Sequence, residues 1–123
     1  MHKLALTIIC AGLLALNAPT ASAQTDSAPK SVIHVVTVSW KAGTTPEQIK
    51  AALDGAKALP AKYKGITRVW VKTLTAQGKA NAIVMEFADE AALKAYTDSD
   101  AQKEWYKAYL PIREASTTFD ITN

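Results

Sequence analysis

From Val32 to Trp40 the chain reads Val-Ile-His-Val-Val-Thr-Val-Ser-Trp, a dense apolar run without Gly or Pro. β-Branched side chains fit a pleated strand better than a helix, so this run predicts a strand. Val32, His34, Val36, Val38 and Trp40 fall on one face; Ile33, Val35, Thr37 and Ser39 fall on the other. Both sets begin apolar, so neither face is suited to water.

The period then changes. Lys41-Ala42-Gly43-Thr44 reads as a turn, and Thr45-Pro46-Glu47-Gln48 as a helix start, with Thr45 and Gln48 able to cap reciprocally and Pro46 at the first helical position. Ile49, Ala52, Leu53, Ala56 and Leu59 form one stripe at helical spacing, and Pro60 stops the helix near Leu59. Alternation returns from Ile66 to Leu74 and from Ala82 to Phe87, two strands joined through Ala76-Gln77-Gly78-Lys79 as an antiparallel hairpin. Asp89 caps a second helix carrying Leu93 and Tyr96. Thr97-Asp98-Ser99-Asp100 interrupts it and caps a further segment with Trp105, Tyr109 and Ile112 at helical spacing. A fourth strand runs from Ser116 to Thr122, where Phe119 and Ile121 alternate with Thr118 and Asp120.

The resulting βαββαβ order is the α+β, ferredoxin-like arrangement: a four-stranded antiparallel sheet with helices on one face. Helices cover only one side of such a sheet. The other side carries Ile33, Val35, Trp70 and Val84, a patch that monomers seldom expose. We therefore expect a homodimer. The competing reading is a monomer whose open face is softened by Arg68, Lys72 and Glu86.

Composition adds a targeting segment. Met1-His2-Lys3 is a basic head, Leu4 to Leu16 an apolar core, and Ala21-Ser22-Ala23 a small-x-small end, which together predict a signal peptide over 1–23 cleaved after Ala23. The apolar core is short for a membrane span of about 20 residues. Gln24 to Ser31 is polar, contains Pro29 and reads as a disordered leader (24–31) before a single domain over 32–122. The expected mature protein is periplasmic or secreted, with no stable membrane anchor. Cys10 is the only cysteine and lies in the segment to be removed, which excludes disulfides and thiolate chemistry from the mature chain. Of 14 Lys and Arg, Lys3 leaves with the head, and the remaining 13 face 11 Asp and Glu, a net of +2. These lysines form no run, so the charge reads as a solvated mixed surface, not a nucleic-acid face.

Several stretches together resemble the stress-responsive dimeric α/β barrel (Dabb) family. They are Ile33-His34-Val35-Val36, the Lys-x-Gly-Thr of Lys41 to Thr44, Leu59-Pro60, Gly65-Ile66, Ala82-Ile83-Val84-Met85-Glu86-Phe87, Leu93-x-x-Tyr96, and the region from Pro111 to Phe119-Asp120. The resemblance covers Val32 to Thr122. It implies a homodimer in which two sheets close into an eight-stranded barrel with helices outside, and a pocket between each sheet and its own helices. Some similar proteins, including a plant polyketide cyclase, carry out cofactor-free chemistry with a strand-one histidine and a helix tyrosine. His34 and Tyr96 match those two positions. Where cyclase-like members have further histidines, this chain has Asn81 and Gln102, and an amide is no general acid or base near neutral pH.

The candidate catalytic residues are thus His34 and Tyr96, and the candidate ligand-binding residues His34, Asn81, Ile83, Met85, Phe87, Tyr96 and Gln102. An imidazole titrates near neutral pH and can shuttle a proton; a core histidine bonded to its surroundings is the plainer reading of His34. No cofactor is expected. No metal is expected either: Asp98, Asp100 and Glu104 before a helix read as capping and dipole compensation. Trp105, Tyr109 and Ile112 read as core, with a cavity wall as the alternative. The function expected is binding of a small apolar or aromatic molecule. The alternatives are a cofactor-free cyclase-, isomerase- or monooxygenase-like enzyme and a stress-protective protein whose dimer is its purpose.

Overall fold

Strand β1 (Val32–Trp40) lies inside the sheet, hydrogen-bonded on both sides, as its two apolar faces require. The computed structural model describes residues 30–123. The expected signal peptide and most of the leader lie outside the described residues. Of the leader, Lys30 and Ser31 are described, and the Ser31 carbonyl accepts a bond from Thr122 Oγ1 at 3.1 Å. After β1 come α1 (Pro46–Lys57), α2 (Leu59–Lys62), β2 (Ile66–Trp70), β3 (Asn81–Phe87), α3 (Glu90–Tyr96), α4 (Asp100–Tyr109) and β4 (Arg113–Ile121). The strands form one antiparallel sheet in the order β2-β3-β1-β4. With the helices on one face, this is the ferredoxin-like α+β fold.

The core lies between sheet and helices. Val32, Val36 and Val38 of β1 meet Ile83, Met85 and Phe87 of β3 and Ile66 of β2, under Ala52, Ala56, Leu59, Trp105 and Tyr109. Fully burying such a side chain contributes about 1.5–3 kcal/mol. A helix cap contributes about 1 kcal/mol, so burial sets the fold and caps set where elements begin. Thr45 and Gln48 form the capping box expected at α1. Trp105 Nε1 donates to the Ala52 carbonyl at 2.9 Å and ties α4 to α1. Gly65 is required by close approach: a Cβ there would stand 2.5 Å from the Tyr63 ring and 2.9 Å from Ala92 Cβ.

The structure moves three boundaries. β2 ends at Trp70 instead of Leu74, because the Thr73 hydroxyl takes the Ala82 N–H at 2.8 Å in place of a ladder bond. The hairpin connection is correspondingly longer. α1 ends at Lys57, and Pro60 sits in the first turn of α2, where a missing N–H costs nothing. β4 starts at Arg113, three residues before the expected Ser116.

Candidate functional site

β4 pairs with β1 so that His34 stands opposite Asp120, Val36 opposite Thr118 and Val38 opposite Ser116. Cross-strand partners share a face, so β4 turns Ser116, Thr118 and Asp120 toward the helix side. Packing of β4 is chiefly on β1. The polar strip is therefore left open beneath α3 and α4, and the cavities form there.

His34 Nδ1 lies 2.5 Å from Asp120 Oδ1. A carboxylate only accepts, so Nδ1 carries the proton, which leaves Nε2 of the neutral ring as the acceptor. The Phe87 ring meets the imidazole edge-on at 5.9 Å. Phe87 also packs on Tyr96, centroids 5.3 Å apart, and Tyr63 on Tyr96 at 5.5 Å. Tyr96 is 3% exposed, and its hydroxyl has no hydrogen-bond partner among the described residues. Burial raises this phenol well above its ordinary pKa, and the neighbouring Tyr106 adds to the rise. Tyr96 is therefore a neutral donor at physiological pH.

Two cavities meet at His34, Leu93 and Thr97. An open cleft of about 710 Å³ runs between α3 and the β1–β4 edge, with Lys94 and Asp120 on its walls. A smaller chamber of about 100 Å³ continues beneath α4, walled by Tyr96, Gln102, Tyr106, Tyr109, Arg113, Ser116 and Thr118. The larger volume is that of an ordinary small-molecule site.

His34, Tyr96 and Gln102 are thus brought together. Gln102 is already engaged: its Oε1 accepts the Asp98 N–H at 2.8 Å and its Nε2 donates to Tyr106 Oη at 3.2 Å. This brace holds the α3–α4 turn, where Asp98 adopts φ 64°. Ile83, Met85 and Phe87 are wholly buried in the core and line neither cavity. Asn81 opposes Val38, about 13 Å along the sheet from His34, and accepts the Trp40 Nε1–H at 2.8 Å. Ser99 caps α4. Among the described residues no group of three His, Cys, Asp or Glu side chains is placed to hold a metal ion. Nor is any helix there long and apolar enough to cross a membrane.

Sequence reasoning missed Asp120 and Arg113. The alternation of Ser116, Thr118 and Asp120 is a visible signal for a polar face, but only the pairing says that this face looks toward the helices.

A family model described as Stress responsive A/B Barrel Domain matches residues 32–123. No curated protein matches the sequence. Among solved structures, the hydroxynitrile lyase of Passiflora edulis is 18% identical with a TM-score of 0.69, covering 77% of this chain and 94% of that one. A Dabb family protein with a ferredoxin-like fold from Mesorhizobium loti is 22% identical with a TM-score of 0.64, covering 76% and 96%. A dimeric protein of unknown function and ferredoxin-like fold from Bacteroides fragilis is 20% identical with a TM-score of 0.64, covering 78% and 99%. At these identities the likeness shows the fold.

Proposed function

The chain belongs to the stress-responsive A/B barrel domain family, and from that premise we propose that it is an exported homodimer that binds a small apolar or aromatic molecule in the cleft at His34. The observation that carries the reading is the His34–Asp120 pair at the junction of the two cavities. An oriented imidazole and a buried phenol without a hydrogen-bond partner among the described residues, with Val32, Ala91 and Leu93 on the cleft wall, suit a ligand with a greasy body and a polar group. The dimer reading is supported by the open sheet face, where Trp70, Phe119 and Ile121 are each about half exposed, and by the dimeric B. fragilis neighbour. Export rests on the N-terminal pattern of basic head, apolar core and Ala-Ser-Ala.

A second reading is a cofactor-free enzyme. Asp120 holds His34 in the tautomer whose Nε2 accepts a proton, and Tyr96 supplies a neutral hydroxyl to the same chamber. The P. edulis neighbour, a hydroxynitrile lyase, is an enzyme on this fold.

Native mass spectrometry of the protein purified from its source tests both dimer and ligand: the expected spectrum shows a two-copy mass carrying a small molecule, with Ala23 absent. Adding aromatic polyketide-like or quinol-like substrates then separates the two readings. Turnover lost in both His34→Phe and Tyr96→Phe favours the enzyme, whereas saturable binding without turnover favours the binding protein. If both variants fold and bind as the wild type does, the pair is not the site.

A further inference from the structure

The inner chamber ends at an arginine that a regular ladder would have turned away. Ser39 opposes Ala115, but Trp40 opposes Arg113, so one extra residue is accommodated in β4 between them. Without that bulge Trp40 would oppose Glu114. A slip of one residue exchanges the faces of a strand, so the glutamate would then share the chamber side with Ser116 and Thr118. The bulge leaves Glu114 exposed and gives the chamber wall to Arg113. An acid is exchanged for a base at this end of the site.

Arg113 makes no ion pair among the described residues, and its guanidinium lies 5.7 Å from the Tyr109 ring centroid. Tyr109 is 2% exposed, and its hydroxyl also lacks a hydrogen-bond partner among the described residues. Burial raises the Tyr109 phenol, and Tyr109, Arg113 and Ser116 all line the same chamber. A hydroxyl either donates or accepts, but a guanidinium only donates. The missing partner is therefore an acceptor, and an anionic one forms charge-assisted bonds about twice as strong as a neutral one. The acids nearest the chamber are at its other parts: Asp120 is paired with His34, and Asp98 faces Tyr106 from the α3–α4 turn.

We propose that the inner chamber is the acid-binding end of the site, holding the carboxylate of a slender monocarboxylate between Arg113 and Tyr109 while the body of the ligand extends past His34 into the cleft. This deepens the ligand-binding reading above and rests on it. Size fits: about 100 Å³ is several times the roughly 10–15 Å³ of cavity space that admits one water, enough for a carboxylate and its adjoining carbons. A phosphate would bring more charge and more acceptor oxygens than one guanidinium and its neighbouring hydroxyls can satisfy.

The test is calorimetric titration of the intact protein with two isosteric pairs, butyrate against butyramide and phenylacetate against phenylacetamide. Trp105, stacked on Tyr109 at 4.5 Å, provides a parallel fluorescence signal. Each acid is expected to bind about tenfold or more tighter than its amide, the value of a hydrogen bond to a charged group. Arg113→Gln should erase the preference, and Tyr109→Phe should reduce it with the helical circular dichroism unchanged. Equal binding of acid and amide, or a preference that survives Arg113→Gln, overturns the carboxylate assignment and leaves the pocket reading standing. If none of the four compounds binds and the protein from its source carries no small molecule, both fall together.

Discussion

His34 has one hydrogen-bond partner among the described residues, and that partner is almost half exposed, with an Asp120 side-chain accessibility of 46%. A single hydrogen bond to so exposed a partner contributes little to folding, so Asp120→Ala should cost about 1 kcal/mol or less in urea unfolding. It should nevertheless weaken ligand binding, because the imidazole loses the group that sets its tautomer. Tyr96 offers the converse. Its buried hydroxyl lacks a hydrogen-bond partner among the described residues, so Tyr96→Phe removes an unmet desolvation cost and should be neutral or stabilising by up to about 1 kcal/mol. Denaturation and titration of the same sample check the pair: stability held or gained, affinity lost. A Tyr96→Phe protein clearly less stable than wild type would mean that the phenol has a structural partner. At this scale His34 and Tyr96 are candidates from sequence because of their residue types and the positions they match in the family resemblance, and the structure sets both on one chamber wall. Sequence reasoning had no means of finding Asp120, which is 86 residues away and meets His34 only through strand register.

Among the elements, α1 was the most legible. Thr45, Pro46 and Gln48 are local signals, and the capping box forms as they predict. Thr45→Ala should cost about 1 kcal/mol in the urea midpoint. Gly65→Ala should cost more, about 1–3 kcal/mol, because the new methyl overlaps the Tyr63 ring and Ala92 and the core resists overpacking. Equal losses from the two would show that the Tyr63 contact yields freely. The strands were less legible at their ends. The ladder of β2 yields to the Thr73 side chain at Ala82, and the bulge that turns Arg113 inward depends on the partner strand. Alternation placed Ile83, Met85 and Phe87 on the helix side of β3 correctly. It does not distinguish a covered strand from an uncovered one, and β3 is sealed by the helices while β4 is not.

For the whole molecule, the decisive surface is the side of the sheet away from the helices. Ile33, Val35, Trp70, Val84, Phe119 and Ile121 lie there together by register. On the proposed dimer, Phe119→Asp puts a charge on that patch at the β4 edge of the sheet. Sedimentation at micromolar concentration should show a two-copy species for the wild type and a single copy for the variant; a wild type that remains single and compact removes the barrel. Glu86 belongs to the same face and is 8% exposed. Its hydrogen bond to the Arg68 guanidinium, above all, holds its carboxyl below the ordinary value of 4.5, against the opposing effect of burial. A carboxyl whose pKa is lower folded than unfolded contributes stability above the unfolded value and loses it as pH falls through the folded one. The urea midpoint should therefore drop on acidification below about pH 4.5, and Arg68→Met should make that drop shallower. An unchanged slope in Arg68→Met would assign the acid sensitivity to other carboxyls.

The order of the strands, the two-sided character of β1 and the starts of α1, α3 and α4 were determined by the sequence alone, because each depends on residues within a turn or two of one another, whereas the short α2 was not foreseen. The His34–Asp120 pair, the inward turn of Arg113 and the uncovered polar strip of β4 were decided by tertiary structure. These depend on which strand lies beside which, in what register and under which helix, and that is settled by burial summed over the whole sheet, not by any local run of residues.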